Sequence, residues 1–457
     1  MVREYDLITL GGGPAGYPAA IRAAQLGARV CLVEKGSLGG TCLNWGCIPT
    51  KTLHGLAHLL VQARRGNELG AGGSMRPDPV TLFHHKEKVV KDLVAGIEHL
   101  LKARKIDVVR GEGRVTGQHL VEVDGVGTLR GKSIIIATGS SEVSLPGIDF
   151  DGERIVNSKN ILDLGRIPKS LLIIGGGAIG CEFASIFNAL GTDVTVVEML
   201  PRIIATEETQ ISRTLQVLFR KSGIKVYLGT KVSETAVTGD GVTSLLDNGE
   251  EVVTELVLVS VGRRPNVTGI GLEEIGAAVN RAGVQVNNRM ETNVSGIYAA
   301  GDVVGGLMLA HVATREGVVA AANALGTVEE VSYKAIPSTI YTLPEVSHVG
   351  LTENEAREKG IEITTGRFPF AANGKAKGLG EEDGFVKWVV GKENGLLLGL
   401  HIIGPMATEL LPAGIIAVEQ EMTVDDFAAS VFPHPTLSES LTEAVESARG
   451  RAIHLLH

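Results

Sequence analysis

An α/β architecture in which one strand–turn–helix–strand unit occurs twice, followed by a C-terminal α+β region, is what the sequence predicts. Three observations predict it. Tyr5-Asp-Leu-Ile-Thr-Leu-Gly-Gly-Gly-Pro-Ala-Gly and Ser170-Leu-Leu-Ile-Ile-Gly-Gly-Gly-Ala-Ile-Gly share one pattern, which maps Gly11, Gly13 and Gly16 onto Gly175, Gly177 and Gly180 at a constant offset. Glu34 maps onto Glu198 at the same offset, each ending an apolar run. From about Tyr333 the texture changes to alternating strands and amphipathic helices without a further glycine fingerprint.

A single GxGxxG is weak evidence. Here each copy follows a predicted strand, opens an Ala-rich helix and meets a carboxylate at the same distance, which is what a dinucleotide fingerprint requires. The first glycine makes the tight turn, the second lets pyrophosphate approach the backbone, and the third lets helix pack on strand. Pyrophosphate then sits at the positive end of the helix. Two Rossmann-like dinucleotide-binding domains follow. Ser133–Ser140, Glu255–Asn266 and Gly296–Val303 each read as a buried strand with a glycine at or near its end, and support that division. At Glu198 a carboxylate accepts hydrogen bonds from ribose hydroxyls and repels a 2′-phosphate, so the second site reads as the NAD form.

The bulk numbers narrow the classes. At 457 residues the chain needs about three cores. A net charge of −9 argues against a nucleic-acid or anionic-membrane partner. The 59 glycines fall at strand-to-helix turns rather than in low-complexity runs. The start of the chain resembles neither a signal nor a transit peptide, so the chain reads as cytoplasmic or already processed. Gly395–Val418, the most apolar stretch, is interrupted by His401, Pro405, Glu409 and Pro412 and cannot span a membrane.

Cysteines sit at 31, 42, 47 and 181, which is no secreted disulfide framework. Cys31 and Cys181 read as small core residues. Cys42 and Cys47 differ, because they lie in Gly39-Gly-Thr-Cys42-Leu-Asn-Trp-Gly-Cys47-Ile-Pro-Thr-Lys51. Residues five apart on a regular helix are about 8–9 Å from each other, beyond the reach of a disulfide. If the two are bonded the stretch must bend, and Gly46 is permissive there. A bent pair in a cytoplasmic protein is expected to be redox-active. Metal binding is the alternative, but no second CxxC or His pair completes a zinc set, and no metal is expected.

This segment resembles the active-site signature of the flavoprotein disulfide reductases, the class I pyridine nucleotide–disulfide oxidoreductases. The resemblance covers essentially the whole chain: both fingerprints, the cysteine loop, the Ala-Thr-Gly and Ala-Gly-Asp strands, and His-Pro-Thr-Leu-Ser-Glu at 434–439. It implies an FAD-binding domain at 1–143, an NAD-binding domain at 144–263, a central part at 264–332 completing the FAD domain, and a dimerisation domain at 333–457. FAD would use Gly11, Gly13, Gly16, Glu34 on the adenosine ribose, Lys35, Thr41, Lys51, Gly113, Thr138, Gly139 and Ser140. Asp302 would hold the ribityl chain, and Met308, Leu309, Ala310 and His311 would bring a helix N-terminus to the flavin. NAD would use Gly175, Gly177, Gly180, Glu182, Glu198, Val232 and Gly262.

The resemblance also assigns chemistry. Cys42 is implied to be the thiol that meets substrate and Cys47 the thiol beside the flavin, where positive potential from a helix terminus or cation favours thiolate. Lys51 would pair with Glu182. His434 and Glu439 would be the proton-handling pair, although His434 taken alone reads as a surface histidine. On one helix they would point some 140° apart, so they meet only if the chain turns near Pro435, and a cis His434–Pro435 peptide is implied.

Within the family, the Glu198 fingerprint, the cysteine loop and the absence of any cysteine after Cys181 point to the dihydrolipoamide-oxidising branch. Its members oxidise protein-bound dihydrolipoamide to lipoamide with reduction of NAD⁺. Pro433 and the bulky Trp45 depart from the family pattern on the substrate side. No lipoyl domain precedes Tyr5, so the lipoyl group is expected on a partner. That partner would be a 2-oxo acid dehydrogenase acyltransferase or a glycine-cleavage carrier protein, served by a homodimer whose two active sites are shared between subunits. The alternatives are an NADH-dependent reductase of another small disulfide, or a structural subunit of a multienzyme assembly.

Overall fold

The computed structural model describes residues 2–239 and 241–456. The chain separates into two compact units. One comprises residues up to Thr52, Phe83–Val143 and Gly262–Ser332; the other comprises Leu53–Leu82, Ser144–Val261 and the chain from Tyr333 on.

The first unit is built on a sheet ordered Asp107–Arg110, Val30–Glu34, Arg3–Leu10, Gly127–Ile136, Leu120–Val123, Gly113–Gly117, with Ile297–Ala299 also paired to Gly127–Ile136. The strands before Gly127–Ile136 run parallel, whereas the two after it form an antiparallel meander. The parallel strands are apolar without alternation because both faces are covered. Val30, Cys31, Leu32 and Val33 are each at most 2% exposed, and burying such a side chain contributes about 1.5–3 kcal/mol. Helices Gly16–Gln25 and Ala310–Ala324 pack on this sheet. They meet closely at Gly317, where a Cβ would lie 2.1 Å from the Ala15 carbonyl oxygen.

The second unit holds a five-stranded parallel sheet, Lys225–Leu228, Asp193–Glu198, Ser170–Ile174, Leu256–Val259 and Ile155–Val156, with a three-stranded antiparallel sheet, Val232–Thr238, Gly241–Leu246 and Glu251–Thr254. Its third sheet is C-terminal and antiparallel, in the order Pro337–Ile340, Glu345–Gly350, Leu397–Gly404, Phe385–Gly391, Ile363–Pro369. Helices Ala407–Glu419 and Glu439–Ser447 cover one face of it through Trp388, Leu400, Ile402, Leu411 and Leu441. The other face sends Ile340, Val346, Phe385 and Ile403 into a cluster with Phe183, Phe187 and Phe219. This is the α/β arrangement with two dinucleotide-type sheets and a C-terminal α+β region that the sequence predicts. The apolar stretch Gly395–Val418 resolves into strand Leu397–Gly404 and helix Ala407–Glu419. Among the described residues no helix is long and apolar enough to cross a membrane.

Candidate functional site

Strand Arg3–Leu10 runs into Gly11, whose φ of +110° L side chains rarely adopt; a Cβ there would lie 2.2 Å from the Ala137 carbonyl oxygen. A Cβ on Gly16 would lie 1.8 Å from the carbonyl oxygen of Gly11, so the third glycine is what lets the helix touch the strand end. Glu34 ties the turn together: its Oε2 accepts from the Gly12 N–H at 2.7 Å and its Oε1 from the Gly36 N–H at 2.6 Å. The Gly39 N–H donates to the Gly12 carbonyl at 2.8 Å. Lys35 points outward to Glu112 at 2.7 Å.

Beside this cradle, where a Cβ on Gly11 would lie 3.3 Å from the Thr138 nitrogen, the Thr138–Ser140 turn is laced to the segment 263–266. Thr138 Oγ1 donates to the Asn266 carbonyl at 2.8 Å, and Asn266 Nδ2 returns a bond to the Thr138 carbonyl at 3.0 Å. Ser140 Oγ donates to Asp302. Arg263 donates from Nε to Ser140 Oγ and from Nη2 to the Ser140 carbonyl, both at 2.8 Å, and from Nη1 to Glu142 at 3.0 Å. The Gly301 N–H donates to buried Glu316 at 2.7 Å. Gly113 abuts Leu10, and Met308, at φ +47°, and Leu309 lead into the first residues of helix Ala310–Ala324, Ala310 and His311. Sequence reasoning assigned no role to Arg263, Asn266 or Glu316, although Arg263 and Asn266 end a strand it had singled out.

The second unit repeats the glycine and glutamate contacts of the first cradle. Gly175 has φ +107° and its Cβ would lie 2.6 Å from the Ser260 carbonyl oxygen; a Cβ on Gly180 would lie 2.0 Å from the Gly175 carbonyl oxygen. Glu198 accepts from the Gly176 N–H and from the Leu200 N–H, each at 2.7 Å. The Ile204 N–H donates to the Gly176 carbonyl at 2.7 Å. Around Gly177 no described atom lies within 4 Å of a would-be Cβ. Arg202, behind Glu198, spends its guanidinium on the Ala205 carbonyl and Thr209 of its own loop. Glu182 is buried in helix Ala178–Leu190 and accepts from the Tyr341 N–H at 2.9 Å. Val232 starts strand Val232–Thr238, and Gly262, at φ +131°, belongs to the first unit.

The cysteine segment is two helices with a break. Helix Gly40–Trp45 carries Thr41 and Cys42, Gly46 interrupts at φ −142°, and helix Cys47–Gly66 carries Cys47 and, one turn on, Lys51. A Cβ on Gly46 would press at 3.0 Å on the Thr41 carbonyl oxygen and 3.2 Å on Cys42 Cα, so glycine is what lets the two helix ends close up. Asn44 Nδ2 pins the first helix to the Leu38 and Gly40 carbonyls, and Thr50 Oγ1 donates to the Gly46 carbonyl at 2.6 Å. Both cysteines are half-buried thiols in this structure. A hydrogen bond to Cys47, burial and the charge of Cys47 all push the Cys42 thiol up, against the opposing pull of the Lys51 ammonium. Cys42 therefore keeps its proton in the reduced pair. Cys47 occupies the first position of a 20-residue helix, whose N-terminal N–H groups carry positive potential. Cys31 and Cys181 are fully buried, and burial pushes both thiols up.

In the second unit His434 Nδ1 is 2.8 Å from Glu439 Oε1, and Glu439 Oε2 accepts from the Thr436 N–H at 2.8 Å. The chain turns between them and the His434–Pro435 peptide is cis. Burial opposes it, yet the Thr436 N–H and His434 together hold the Glu439 carboxyl below its usual range. The His434 side chain is 80% exposed, so its Nε2 face is open to a reactant. Among the described residues no cluster of His, Cys, Asp and Glu could hold a metal ion.

Residues 5–317 match the family model described as pyridine nucleotide-disulphide oxidoreductase, and residues 336–445 match the dimerisation domain of that family. The chain is 43% identical to the dihydrolipoyl dehydrogenase of Thermus scotoductus over 100% of both chains. It is 41% identical to that of Bacillus subtilis over 99% of this chain and 100% of the relative. Among solved structures, LpdA of Mycobacterium tuberculosis superposes with a TM-score of 0.91 at 29% identity, over 97% of this chain and 99% of the other. The HOCl-induced flavoprotein disulfide reductase RclA of Escherichia coli superposes with a TM-score of 0.88 at 29% identity and the same coverage.

Proposed function

This chain belongs to the pyridine nucleotide-disulphide oxidoreductase family, and on that premise we propose that it oxidises protein-bound dihydrolipoamide to lipoamide while reducing NAD⁺ to NADH. The observation that carries the reading is the closed-up pair of thiols across the Gly46 break, in a unit that also holds a dinucleotide cradle. FAD and NAD are the cofactors of this chemistry.

The residues fit both groups. In each cradle the glycines leave space against the strand end that a Cβ would fill, and a helix N-terminus faces it. We assign FAD to the first cradle: Gly11, Gly13 and Gly16 at the pyrophosphate, Glu34 and Lys35 at the adenosine end, and Asp302 at the ribityl chain. Thr41, Lys51, Gly113, Thr138–Ser140 and 308–311 form the remaining wall. Gly175, Gly177, Gly180, Glu182, Glu198, Val232 and Gly262 are assigned to NAD. When bound, FAD supplies the relay of two electrons between a dithiol and a nicotinamide.

The chain's own residues move the protons and sulfur bonds. His434, oriented by Glu439, takes the proton from one thiol of dihydrolipoamide. The resulting thiolate attacks Cys42 of the Cys42–Cys47 disulfide, forming a mixed disulfide and releasing Cys47 as thiolate. The second thiol of the substrate then attacks the mixed disulfide, closing lipoamide and returning Cys42 as a thiol. Two electrons have passed from substrate to the cysteine pair. A general base of this kind accounts for about 10²–10⁴ in rate.

The test is NAD⁺ reduction with dihydrolipoamide beside other dithiols, with NADP⁺ in parallel. Dihydrolipoamide with NAD⁺ should give the highest kcat/KM. Turnover of a different dithiol without turnover of dihydrolipoamide would move the chain to another branch of the family. The lipoyl group is proposed to arrive on the lipoyl domain of a 2-oxo acid dehydrogenase acyltransferase or a glycine-cleavage carrier.

The match to the dimerisation domain supports a homodimer, and we propose that His434 of the partner subunit serves each cysteine pair. A mixed dimer of Cys42→Ser and His434→Gln chains, each nearly inactive alone, should then regain about half of wild-type activity, because a two-fold axis places both lesions in one site and none in the other. No recovery in an assembled, FAD-replete mixed dimer would place both functions in one chain.

A further inference from the structure

The second cradle is tied to the C-terminal sheet by buried charge that the reaction does not use. Ser338, His348, His401 and Lys387 stand in register across four neighbouring strands, one residue from each. The loop that follows Glu198 lies against this row. Glu207 accepts from Ser338 Oγ at 3.2 Å and bonds His348 Nδ1. Glu208 accepts from Lys387 Nζ at 3.1 Å and from the Glu353 N–H at 3.1 Å, and Glu353 itself pairs with Lys387. Glu207 is 2% exposed, Glu208 4%, Lys387 1% and His401 0%.

Such a cluster is a poor way to gain stability, since well-packed apolar residues of similar volume are commonly as stable or more so. Its geometry points to another use. The Glu207 N–H donates to the Ile204 carbonyl at 2.9 Å, and the Ile204 N–H donates to the Gly176 carbonyl at 2.7 Å. Gly176 lies between the first two glycines of the second fingerprint, Gly175 and Gly177, and its would-be Cβ lies 2.8 Å from Ile203 Cγ2. Ser212 Oγ, one turn into the helix Thr209–Lys221 that follows Glu208, donates to the Ile203 carbonyl at 2.7 Å. Ile204 itself sits at φ +39°, a left-handed conformation that a β-branched residue holds only under constraint.

We propose that Ser338, His348 and Lys387, acting through Glu207 and Glu208, are positioning residues that hold the 203–208 loop against Gly176, so that the C-terminal sheet sets the affinity of the second cradle for its dinucleotide. The inference rests on the reading of that cradle as the NAD site.

Protonation of His348 belongs to the device. The groups facing it are Glu207 from the loop, Ser338 and His401 from the flanking strands, and Glu355 from helix Glu353–Glu358, with Glu208, Glu353 and Lys387 beyond. Burial lowers the His348 pKa, but the bond to Glu207 and the charges of Glu207 and Glu355 outweigh it, and the net shift is upward from 6.5. His401, stacked on it with ring centroids 5.6 Å apart, is driven to about 4 by burial and then by the charge of His348, and so stays neutral. His348 is thus the member that titrates. The hold on the loop is complete below 6.5 and is lost as pH rises through the raised value.

The test is calorimetric titration of NAD⁺ into oxidised holoenzyme across pH, for wild type, His348→Gln, Glu207→Gln and the double variant, with FAD content checked by absorbance. The wild-type Kd should rise with pH through the His348 titration. Each single variant should weaken NAD⁺ by about tenfold, the size of one net charge-assisted hydrogen bond, and lose the pH dependence. The double variant, whose two amides can bond each other, should recover part of the affinity and remain pH-flat. FAD-replete single variants with wild-type Kd would overturn the proposal. If the variants fail to assemble, a wild-type Kd without that rise overturns it instead. Wild-type holoenzyme that binds no NAD⁺ at all would remove the reading of the second cradle, and the inference with it.

Discussion

The two cradles share a frame and part company in one loop. In both, the N–H of the residue between the first two fingerprint glycines, Gly12 or Gly176, is held by a glutamate at the end of the next strand, and its carbonyl receives an N–H from a few residues further on. In the first unit that donor is Gly39, followed by Gly40 at φ +57°, and the chain enters the helix that carries Cys42. In the second it is Ile204, followed by Glu207 and Glu208, and the chain enters buried charge on the C-terminal sheet. The outcome at the second fingerprint glycine differs accordingly. A would-be Cβ on Gly13 makes ordinary contact with Gly40 Cα at 3.8 Å, and a Cβ on Gly40 itself would lie 2.7 Å from Gly13 Cα, whereas around Gly177 no described atom lies within 4 Å of a would-be Cβ. A repeated frame thus yields one cradle bordered by the redox segment and one that is not, in keeping with the proposal of FAD for the first and NAD for the second.

That contrast is sharpest at single methyl groups. Gly40→Ala puts a Cβ into Gly13 at a left-handed φ, so neither backbone can yield cheaply. The expected result is colourless protein with little FAD and a lowered melting temperature. Gly177→Ala meets open space, so the protein should stay yellow and fold as wild type. Its methyl would occupy the ground where pyrophosphate meets the backbone, and NAD⁺ binding should weaken about 10²-fold, the worth of two charge-assisted bonds. FAD-to-protein ratio and NAD⁺ titration read both. Equal FAD retention in the two variants would dissolve the contrast.

How much of this could be read from residues alone depends on the range of the force involved. The fingerprint glycines are legible because their constraint is local: Gly16 answers to Gly11, and Gly180 to Gly175, within one turn. Gly46 is legible for the same reason. The lacing of Arg263 to Ser140, across 123 positions, is not, because its motif is visible while its partners are set by the pairing of Arg263–Pro265 with Ser140–Glu142. The row from Ser338 to Lys387 was missed entirely. It exists through strand register, and its opposing charges, Glu207 and Glu208, come from a loop more than a hundred positions earlier. His401 registered in the sequence only as an interruption of an apolar run, the trace that a buried polar row leaves.

The smallest expected effects lie at the two glutamates, and they discriminate most finely. Glu34 and Glu198 make the same pair of bonds to backbone N–H groups, so glutamine at either should cost one of the two, by replacing an acceptor oxygen with an amide NH2 that can only donate. If the two cradles differ in ligand as proposed, the consequences separate. Glu34→Gln should lower FAD retention and leave the ratio of kcat/KM for NAD⁺ over NADP⁺ at the wild-type value. Glu198→Gln should leave FAD untouched and narrow that ratio by about tenfold, because it removes one charge-assisted bond to ribose together with the repulsion of a 2′-phosphate. Arg202 cannot readily swing to the new phosphate, since Ala205 and Thr209 already hold it, so the preference should narrow rather than invert. Steady-state kinetics with both nucleotides on FAD-replete protein measures the ratio. A Glu34→Gln enzyme with altered nucleotide preference, or a Glu198→Gln enzyme with an unaltered one, would break the assignment of FAD to the first cradle and NAD to the second.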